Sequence, residues 1–139
     1  MADLSKADTY RGFKTLLNVE RYLYIEMPIK LRRCYTRFRC SSHALQIEKG
    51  RHENIDRQLR FCPVCQKKCV NVVETEFHFL LECQSYETLR LNILRSHLNL
   101  NKTVQNFNCL MSDSNENVIL KLAKFICAAF ELRELLLKP

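Results

Sequence analysis

Residues 61–83, FCPVCQKKCVNVVETEFHFLLEC, decide the fold, because they contain the pattern Cys62-x2-Cys65-x12-His78-x4-Cys83. This spacing matches that of two-plus-two zinc fingers, with Cys in place of the final His. Zinc prefers four thiolate or imidazole ligands in a tetrahedron. A two-residue gap lets one tight turn direct the first two thiolates to a single ion, and a helix that carries the His delivers the second pair. The sequence therefore predicts one structural zinc site with these four ligands.

Three neighbouring residues are alternative ligands. Cys69 lies four residues beyond Cys65, where an ordinary finger carries a core hydrophobe, so we interpret it as a packing residue, with ligation as the alternative. His43 and His52 lie upstream of the motif. A His near an apolar face is more often hydrogen-bonded in the core or at the surface than bound to a metal, so both are left out of the predicted ligand set.

The closed ligand set argues against an enzyme. Four protein ligands leave no open position at the metal for water, so metal-assisted catalysis is not expected. The zinc deaminase signature contains Pro-Cys-x-x-Cys, whereas the order here is Cys62-Pro63-x-Cys65. A RING domain needs eight ligands, and two glycines are too few for a phosphate-binding loop. We expect a zinc ion that stabilises the fold and a chain without catalytic residues.

The net charge of +7 is concentrated in one part of the chain. Residues 30–68 contain eleven Lys/Arg and three Asp/Glu, while residues 1–29 are balanced and residues 69–139 carry −1. A basic block is the electrostatic footprint of a phosphate-binding surface, with a solvated helix face as the alternative. Guanidinium groups also stack on bases, which suits RNA and single-stranded or irregular DNA. The predicted nucleic-acid-binding residues are Lys30, Arg32, Arg33, Arg37, Arg39, Arg51, Arg57, Arg60, Lys67 and Lys68.

The helix predicted to carry the zinc-binding His is flanked by acids. Glu76 and Glu82 lie on it and Glu74 precedes it, whereas a finger helix that reads bases carries Arg, Lys, Asn or Gln. This helix is therefore poorly suited to a major groove. We expect the zinc to hold the fold together and the basic segment Lys30–Arg39 to provide the contact surface.

Hydrophobic periodicity predicts a mostly α fold, with a small zinc module (a Cys-x2-Cys knuckle, a short β-hairpin and a helix) embedded in a helical domain. We expect one structural domain in four parts: a helical, basic segment at 1–61, the zinc module and following helix at 62–98, a linker at 99–115, and a C-terminal amphipathic helix at 116–139. In the first part we expect a helix from Asp8 or Thr9 through Leu17, a helix after Pro28 with Tyr35 and Phe38 in the core, and a helical turn at His43–Lys49 ended by Gly50. In the zinc module we expect a hairpin at Lys67–Glu76 and helices at Glu76–Glu82 and Tyr86–Leu98. The last helix is expected to be capped by Asp113 with Glu116.

The last helix carries an apolar stripe of helical period, which predicts that it packs on the rest of the domain. The same stripe is suited to a second copy of the chain or to another protein, so an interaction adaptor or dimerisation module is the alternative function. The stripe consists of Val118, Leu122, Phe125, Ile126, Ala129, Leu132 and Leu136.

The first six residues lack the apolar region of a secretory signal, and no apolar run is long enough to span a membrane. We therefore expect an intracellular protein, nuclear or cytoplasmic, without a membrane partner. In a reducing compartment the eight cysteines indicate metal binding and buried thiols rather than disulfides.

Several motifs together resemble a known family. They are Phe38-Arg39-x-Ser41-Ser42-His43-x-Leu45-x-Ile47-Glu48-x-Gly50-Arg51, then the Cys-x2-Cys pair, then Glu76-x-His78-Phe79-Leu80-Leu81-x-Cys83, then Tyr86-x-x-Leu89-Arg90, and finally Lys124-Phe125-Ile126-x-x-Ala129-Phe130. Across about residues 10–138, the chain resembles the C-terminal CCHC zinc-binding region of animal non-LTR (LINE-like) retrotransposon reverse transcriptases.

The resemblance implies that Cys62, Cys65, His78 and Cys83 bind zinc and that the domain handles template RNA or target DNA. Under this resemblance the chain is a domesticated fragment, an independently expressed remnant or an excised piece of a longer polyprotein. The chain departs from the family in two respects. The interval between the ligand pairs is longer than in many retrotransposon knuckles, and no Asp-Asp pair of the polymerase type is present.

Overall fold

The computed structural model describes residues 8–94 and 101–139, and in these ranges the protein is mostly α, as predicted. An isolated antiparallel bridge joins Phe61 to Val73. The helices are α1 (Asp8–Phe13), α2 (Ile29–Arg39), α3 (Gln46–His52), α4 (Pro63–Gln66), α5 (Glu87–Leu94), α6 (Val104–Ser112) and α7 (Glu116–Leu137). Short 3-10 turns lie at Arg21–Tyr24, Arg57–Leu59 and Gln84–Tyr86, and a π-helical turn lies at His78–Glu82.

Helix α7 is the central element, and α2 and α5 pack against it. Its predicted cap was wrong by two residues: the Asn115 side chain accepts the backbone N–H groups of Asn117 and Val118, while Asp113 accepts the N–H of Asn115. The predicted stripe is buried from Val118 to Ala129, Leu132 is half-buried, and Leu136 is exposed. The stripe is therefore used mainly for packing within the chain.

Helix α2 begins after Pro28, as predicted, because proline's fixed φ suits a helix start. Tyr35 and Phe38 are buried, which confirms their interpretation as core residues. The Phe38 ring lies 5.7 Å from that of Phe79 and 6.5 Å from that of Phe130. This aromatic cluster joins α2, the π-helical turn and α7.

The segment predicted as a linker contains α6 in its described part. Thr103 caps α6 by accepting the N–H of Asn106, and Phe107, Leu110 and Met111 are buried. Asn101 precedes α6, Ser112 ends it, and Ser114 and Asn115 follow it, so most Asn and Ser of the described part lie at or beyond the ends of a short helix. The linker prediction was wrong for this reason.

The first helix is shorter than predicted. It ends at Phe13, whose ring is buried, and Leu16 and Leu17 are exposed instead of continuing the apolar face. The Lys14 ammonium donates to the backbone oxygen of Asn18, which supports an irregular turn after α1. The helix predicted at Tyr86–Leu98 is described as α5 up to Leu94, and the remainder lies outside the described residues.

Candidate metal centre

The first ligand pair lies on a knuckle between two paired segments of backbone. Cys62 donates its N–H to the carbonyl of Val72 at 2.7 Å, and Glu74 donates to the carbonyl of Arg60 at 2.9 Å. These bonds flank the Phe61–Val73 bridge, so the antiparallel pair joins the residues on either side of the knuckle. The hairpin predicted at Lys67–Glu76 is therefore wrong: its first half belongs to the knuckle, and its second half pairs with residues 60–62.

The second ligand pair lies on the π-helical turn. The backbone N–H of Cys83 donates to the carbonyl of His78 at 2.7 Å, a bond between residues five positions apart. Such widened turns occur often at functional sites. Phe79, Leu80 and Leu81 between the two ligands are fully buried, so the core fixes the direction of both side chains. The predicted helix at Glu76–Glu82 is helical, with this π-helical geometry.

The four predicted ligands meet at one point. One ligand atom from each of Cys62, Cys65, His78 and Cys83 lies within 4.8 Å of the other three. The Sγ atom of Cys65 is 3.5 Å from His78 Nε2 and 3.7 Å from the Sγ of Cys83. A tetrahedron with metal–sulfur bonds of about 2.3 Å and a metal–nitrogen bond of about 2.05 Å has edges of about 3.6 and 3.8 Å. The cluster therefore fits a four-coordinate metal ion.

Without a cation, the three thiols of the cluster do not all lose their protons easily. The hydrogen bond from the Cys62 thiol lowers the pKa of Cys83 to about 3, and the same hydrogen bond, together with burial, raises the pKa of Cys62. Burial and the nearby Cys83 charge raise the pKa of Cys65. Three thiolates this close repel one another unless a cation lies between them, so a metal ion stabilises the deprotonated cluster.

Arg90, which the sequence analysis left without a role, holds the second ligand pair in place. Its buried guanidinium donates to the carbonyls of Leu80 at 2.8 Å and Cys83 at 3.1 Å, and it also bonds to the carboxylate of Glu87. The Leu80 carbonyl lies in the π-helical turn, and the Cys83 carbonyl lies just after it, where it also accepts the backbone N–H of Tyr86 at 3.3 Å. The Tyr-x-x-Leu-Arg motif was the signal in the sequence.

The acids around the second ligand pair do not form an acidic surface. Glu74 and Glu76 are both buried. Arg133 on α7 donates to both oxygens of Glu74, at 2.8 and 2.9 Å, and His43 lies 2.9 Å from an oxygen of Glu76. Burial raises the pKa of Glu76, but the contact with His43 and the hydrogen bonds from its backbone and from Thr9 together leave that pKa below its usual value. Of the three acids expected on this helix face, Glu82 is half-exposed and the other two are buried, so the expected acidic face is reduced to one residue.

The alternative ligands lie outside the cluster. Cys69 is exposed at a φ of 60°, in the left-handed conformation that ends the knuckle, so its interpretation as a packing residue was wrong. His43 is a hydrogen-bonded core residue, as predicted, and His52 is exposed. Within residues 8–94 and 101–139, the metal-binding group comprises the four predicted ligands.

Two of the ten predicted nucleic-acid contacts are buried. Arg39 is 5% exposed: its guanidinium lies over the Phe13 ring at 4.6 Å, bonds to the carbonyl of Met111 and pairs with Glu20 at 3.1 Å. Arg60 is 3% exposed. It donates to the carbonyls of Ile55 and Ile47, at 2.8 and 3.1 Å, and its stem packs against Gly50 inside α3. Both residues stabilise the fold, and they are removed from the predicted surface.

The sequence predicted that Gly50 ends a helix. This prediction was wrong, because α3 continues to His52. Its lack of a side chain instead makes room for the buried stem of Arg60.

The other eight predicted contacts lie in several places. Ion pairs join Lys30 to Glu131 and Arg51 to Glu48. The remaining exposed cations are Arg33, Arg37, Arg57, Lys67 and Lys68, with Arg32 half-buried. Lys67 donates to the carbonyl of Leu136, and Lys68 to the hydroxyl of Ser85.

A groove of about 300 Å³ on α2 brings three of these cations together. We call it the α2 groove, and it is lined by Ile29, Arg32, Arg33, Thr36 and Arg37. In the described parts of the chain, no carboxylate pairs with Arg33 or Arg37. Their charges are therefore available to an outside anion.

Comparisons with known proteins leave the resemblance without support. No protein-family model matches the chain, and searches of curated proteins and of solved structures find no similar chain. Among the helices of residues 8–94 and 101–139, none has both the length and the apolar character needed to cross a bilayer.

Proposed function

We propose that this chain is a non-enzymatic, zinc-stabilised module that binds RNA or single-stranded or irregular DNA, related to the C-terminal regions of non-LTR retrotransposon reverse transcriptases. The observation that carries the proposal is the α2 groove, where Arg33 and Arg37 are exposed without a carboxylate partner, beside Arg32. Such a groove matches the phosphates of a nucleic-acid backbone, because guanidinium groups bind phosphate oxygens in pairs of hydrogen bonds.

Zinc is the metal that the donor set favours. Three thiolates and one imidazole are soft or borderline ligands, which exclude magnesium and calcium as natural occupants. Cys62 and Cys83 are fully buried and His78 is nearly so, which suits a structural site with four protein ligands. The ion would hold the knuckle against the π-helical turn, and the residues of this chain supply the contacts with nucleic acid.

The alternative function, an adaptor that uses α7, has less support from the packing. Phe125 and Ile126 at the centre of the stripe are fully buried in the core. A partner or second copy would have to use the last turn, where Leu135 and Leu136 are exposed. Light scattering of wild-type protein and of Leu135→Glu measures this: a dimer that the substitution dissociates would favour the adaptor.

The metal is tested by elemental analysis of protein purified without added metal. We expect one zinc per chain in the wild type, and loss of that zinc together with a lower melting temperature in Cys83→Ser. Cys69→Ser is the matched control, because Cys69 lies outside the cluster and the variant should keep its zinc. A wild type that folds identically after chelation would contradict a structural zinc.

Nucleic-acid binding is tested by fluorescence anisotropy with a labelled 15-nucleotide RNA across a salt series. Arg33→Glu/Arg37→Glu should weaken binding at least tenfold at 100 mM salt, and two lost phosphate contacts should reduce the slope of log K against log salt by about 1.4. The matched control is Lys102→Glu/Lys124→Glu, with the same charge change at exposed positions outside the groove. Wild-type binding that is absent or independent of salt would refute the proposal, as would equal losses in both variants.

A further inference from the structure

A second concave surface adjoins the α2 groove, between the segment that follows α1 and the α6–α7 corner. It encloses about 380 Å³, which falls within the usual range of ligand sites. We call it the aromatic cleft. Its walls include Phe13, Tyr22, Tyr24, Tyr35, Met111 and Ile119.

Exposed apolar side chains are concentrated along this segment. Tyr24 is 69% exposed and lines the cleft, and Leu16 and Val19 beside it are also more than half exposed. Arg21 lines the same cleft and adds positive charge, whereas Lys14 there pairs with Glu20 at 3.4 Å, and Asp113 also contributes to the lining. An exposed aromatic ring in a cleft that also presents an arginine is an arrangement on which unpaired bases stack in proteins that bind single strands.

Two hydrogen bonds attach the cleft to the α2 groove. Arg32 donates to the carbonyl of Ile25 at 2.6 Å, one residue after Tyr24. Thr36, which lines the groove, donates its hydroxyl proton to the hydroxyl oxygen of Tyr22, which lines the cleft, at 3.0 Å. A strand whose phosphates lie in the groove therefore has the cleft within reach of its next base.

We propose that the aromatic cleft is a nucleobase-binding site, in which Tyr24 stacks on an unpaired base of the strand that the α2 groove holds by its phosphates. The inference rests on the proposed nucleic-acid function and names the ligand class of the site: a single strand with unpaired bases. Because a phosphate groove alone does not distinguish single strands from duplexes, the cleft supplies that selectivity.

The test compares two labelled oligonucleotides of 15 nucleotides, one with all its bases and one with six central abasic sites. Base stacking contributes about 1–3 kcal/mol per base, so wild type should bind the complete oligonucleotide roughly tenfold more tightly. Tyr24→Ala should lose this preference and keep its affinity for the abasic strand, while Tyr24→Phe should retain the preference. Leu135→Ala, at an exposed site on the last turn of α7, is the matched control.

Photocrosslinking gives a direct readout of the contact. RNA that contains 5-iodouracil should crosslink to the tryptic peptide YLYIEMPIK, residues 22–30, and Tyr24→Ala should remove the crosslink. The inference is overturned if wild type binds both oligonucleotides equally, if Tyr24→Ala weakens both equally, or if the crosslink falls elsewhere. These outcomes leave the proposed function standing, whereas failure of wild type to bind either oligonucleotide refutes both proposals.

Discussion

The buried ion pair between Glu74 and Arg133 predicts a large loss of stability when either partner is replaced alone. Glu74 adjoins the bridge behind the metal cluster, and Arg133 lies on α7, 59 residues later in the chain. In Arg133→Met, the Glu74 carboxylate keeps the backbone N–H of Gln46, at 2.7 Å, as its remaining hydrogen-bond donor. An uncompensated charge is then left in the core.

Breaking a buried pair in this way costs about 3–5 kcal/mol. A domain of this size has a total stability of about 5–15 kcal/mol, so the loss is a substantial share of the free energy of unfolding. At roughly 3 °C per kcal/mol, the melting temperature should fall by about 10–15 °C. Glu74→Gln should be affected to a similar extent, because it leaves the Arg133 guanidinium buried without its counter-charge.

The double variant Glu74→Gln/Arg133→Met is the control. It removes both charges, and the amide oxygen of the new Gln can still accept the N–H of Gln46. We expect a loss of about 1–3 kcal/mol, less than either single variant, because no unpaired charge remains. Urea unfolding with saturating zinc, and with one zinc per chain checked in every variant, measures the cycle. The buried pair would be refuted if each single variant lost less than about 1 kcal/mol of unfolding free energy. It would also be refuted if the loss in the double variant equalled the sum of the two single losses.

Individual contacts predict the outcomes of two further substitutions and of one alkylation reaction. Gly50→Ala should lower the urea midpoint by the equivalent of about 1–3 kcal/mol, because its Cβ would lie 2.6 Å from Cγ of the buried Arg60. Cys69→Gly should raise the stability by about 1 kcal/mol and keep the zinc, because glycine adopts the φ of 60° without strain. Burial and a hydrogen bond with Cys34 raise the pKa of the Cys127 thiol to about 11. At pH 8, Cys127 should therefore react with iodoacetamide at least about a hundredfold more slowly than the exposed Cys109. Peptide mass spectrometry measures both rates.

Each of these predictions has a matched control. Gly12 is exposed, and a Cβ there would meet the side-chain oxygen of Asn108 at 3.3 Å, which a small side-chain movement relieves, so Gly12→Ala should be close to neutral and equal losses at both glycines would contradict the tight contact at Gly50. Cys69→Val should destabilise, since a β-branched residue tolerates a positive φ poorly, and a stabilising valine would contradict the conformation. Rapid alkylation of Cys127 in folded protein, with the rate of unfolded protein as the reference, would contradict its burial.

The metal cluster could be predicted from the sequence because ligand spacing is a local constraint. Cys62 and Cys65 share one turn, and His78 and Cys83 share another, so only the meeting of two short segments had to be inferred. The helical period of α2 and α7 was likewise visible, since burial of one face imposes it along the chain.

The partners of the charged residues could not be predicted, because they are distant in sequence. The carbonyl that Arg39 contacts lies 72 residues away, and the carboxylate that Arg133 contacts lies 59 residues away. Arg37 and Arg39 lie in the same basic segment, and the sequence around them does not indicate which of the two is buried. In the structure Arg37 is exposed and Arg39 is buried. Only the packing of α2 distinguishes a cation of the core from a cation of the surface.

The distance between Glu74 and Arg133 also bears on synthesis of the chain. Arg133 is the fiftieth residue after Cys83, and a ribosome adds these residues in about 3–10 s. During this interval all four metal ligands have been made, while the helix that neutralises Glu74 and covers the aromatic cluster has not. If the cluster binds a metal ion, the ligands are therefore complete before the helix that closes the core has been made.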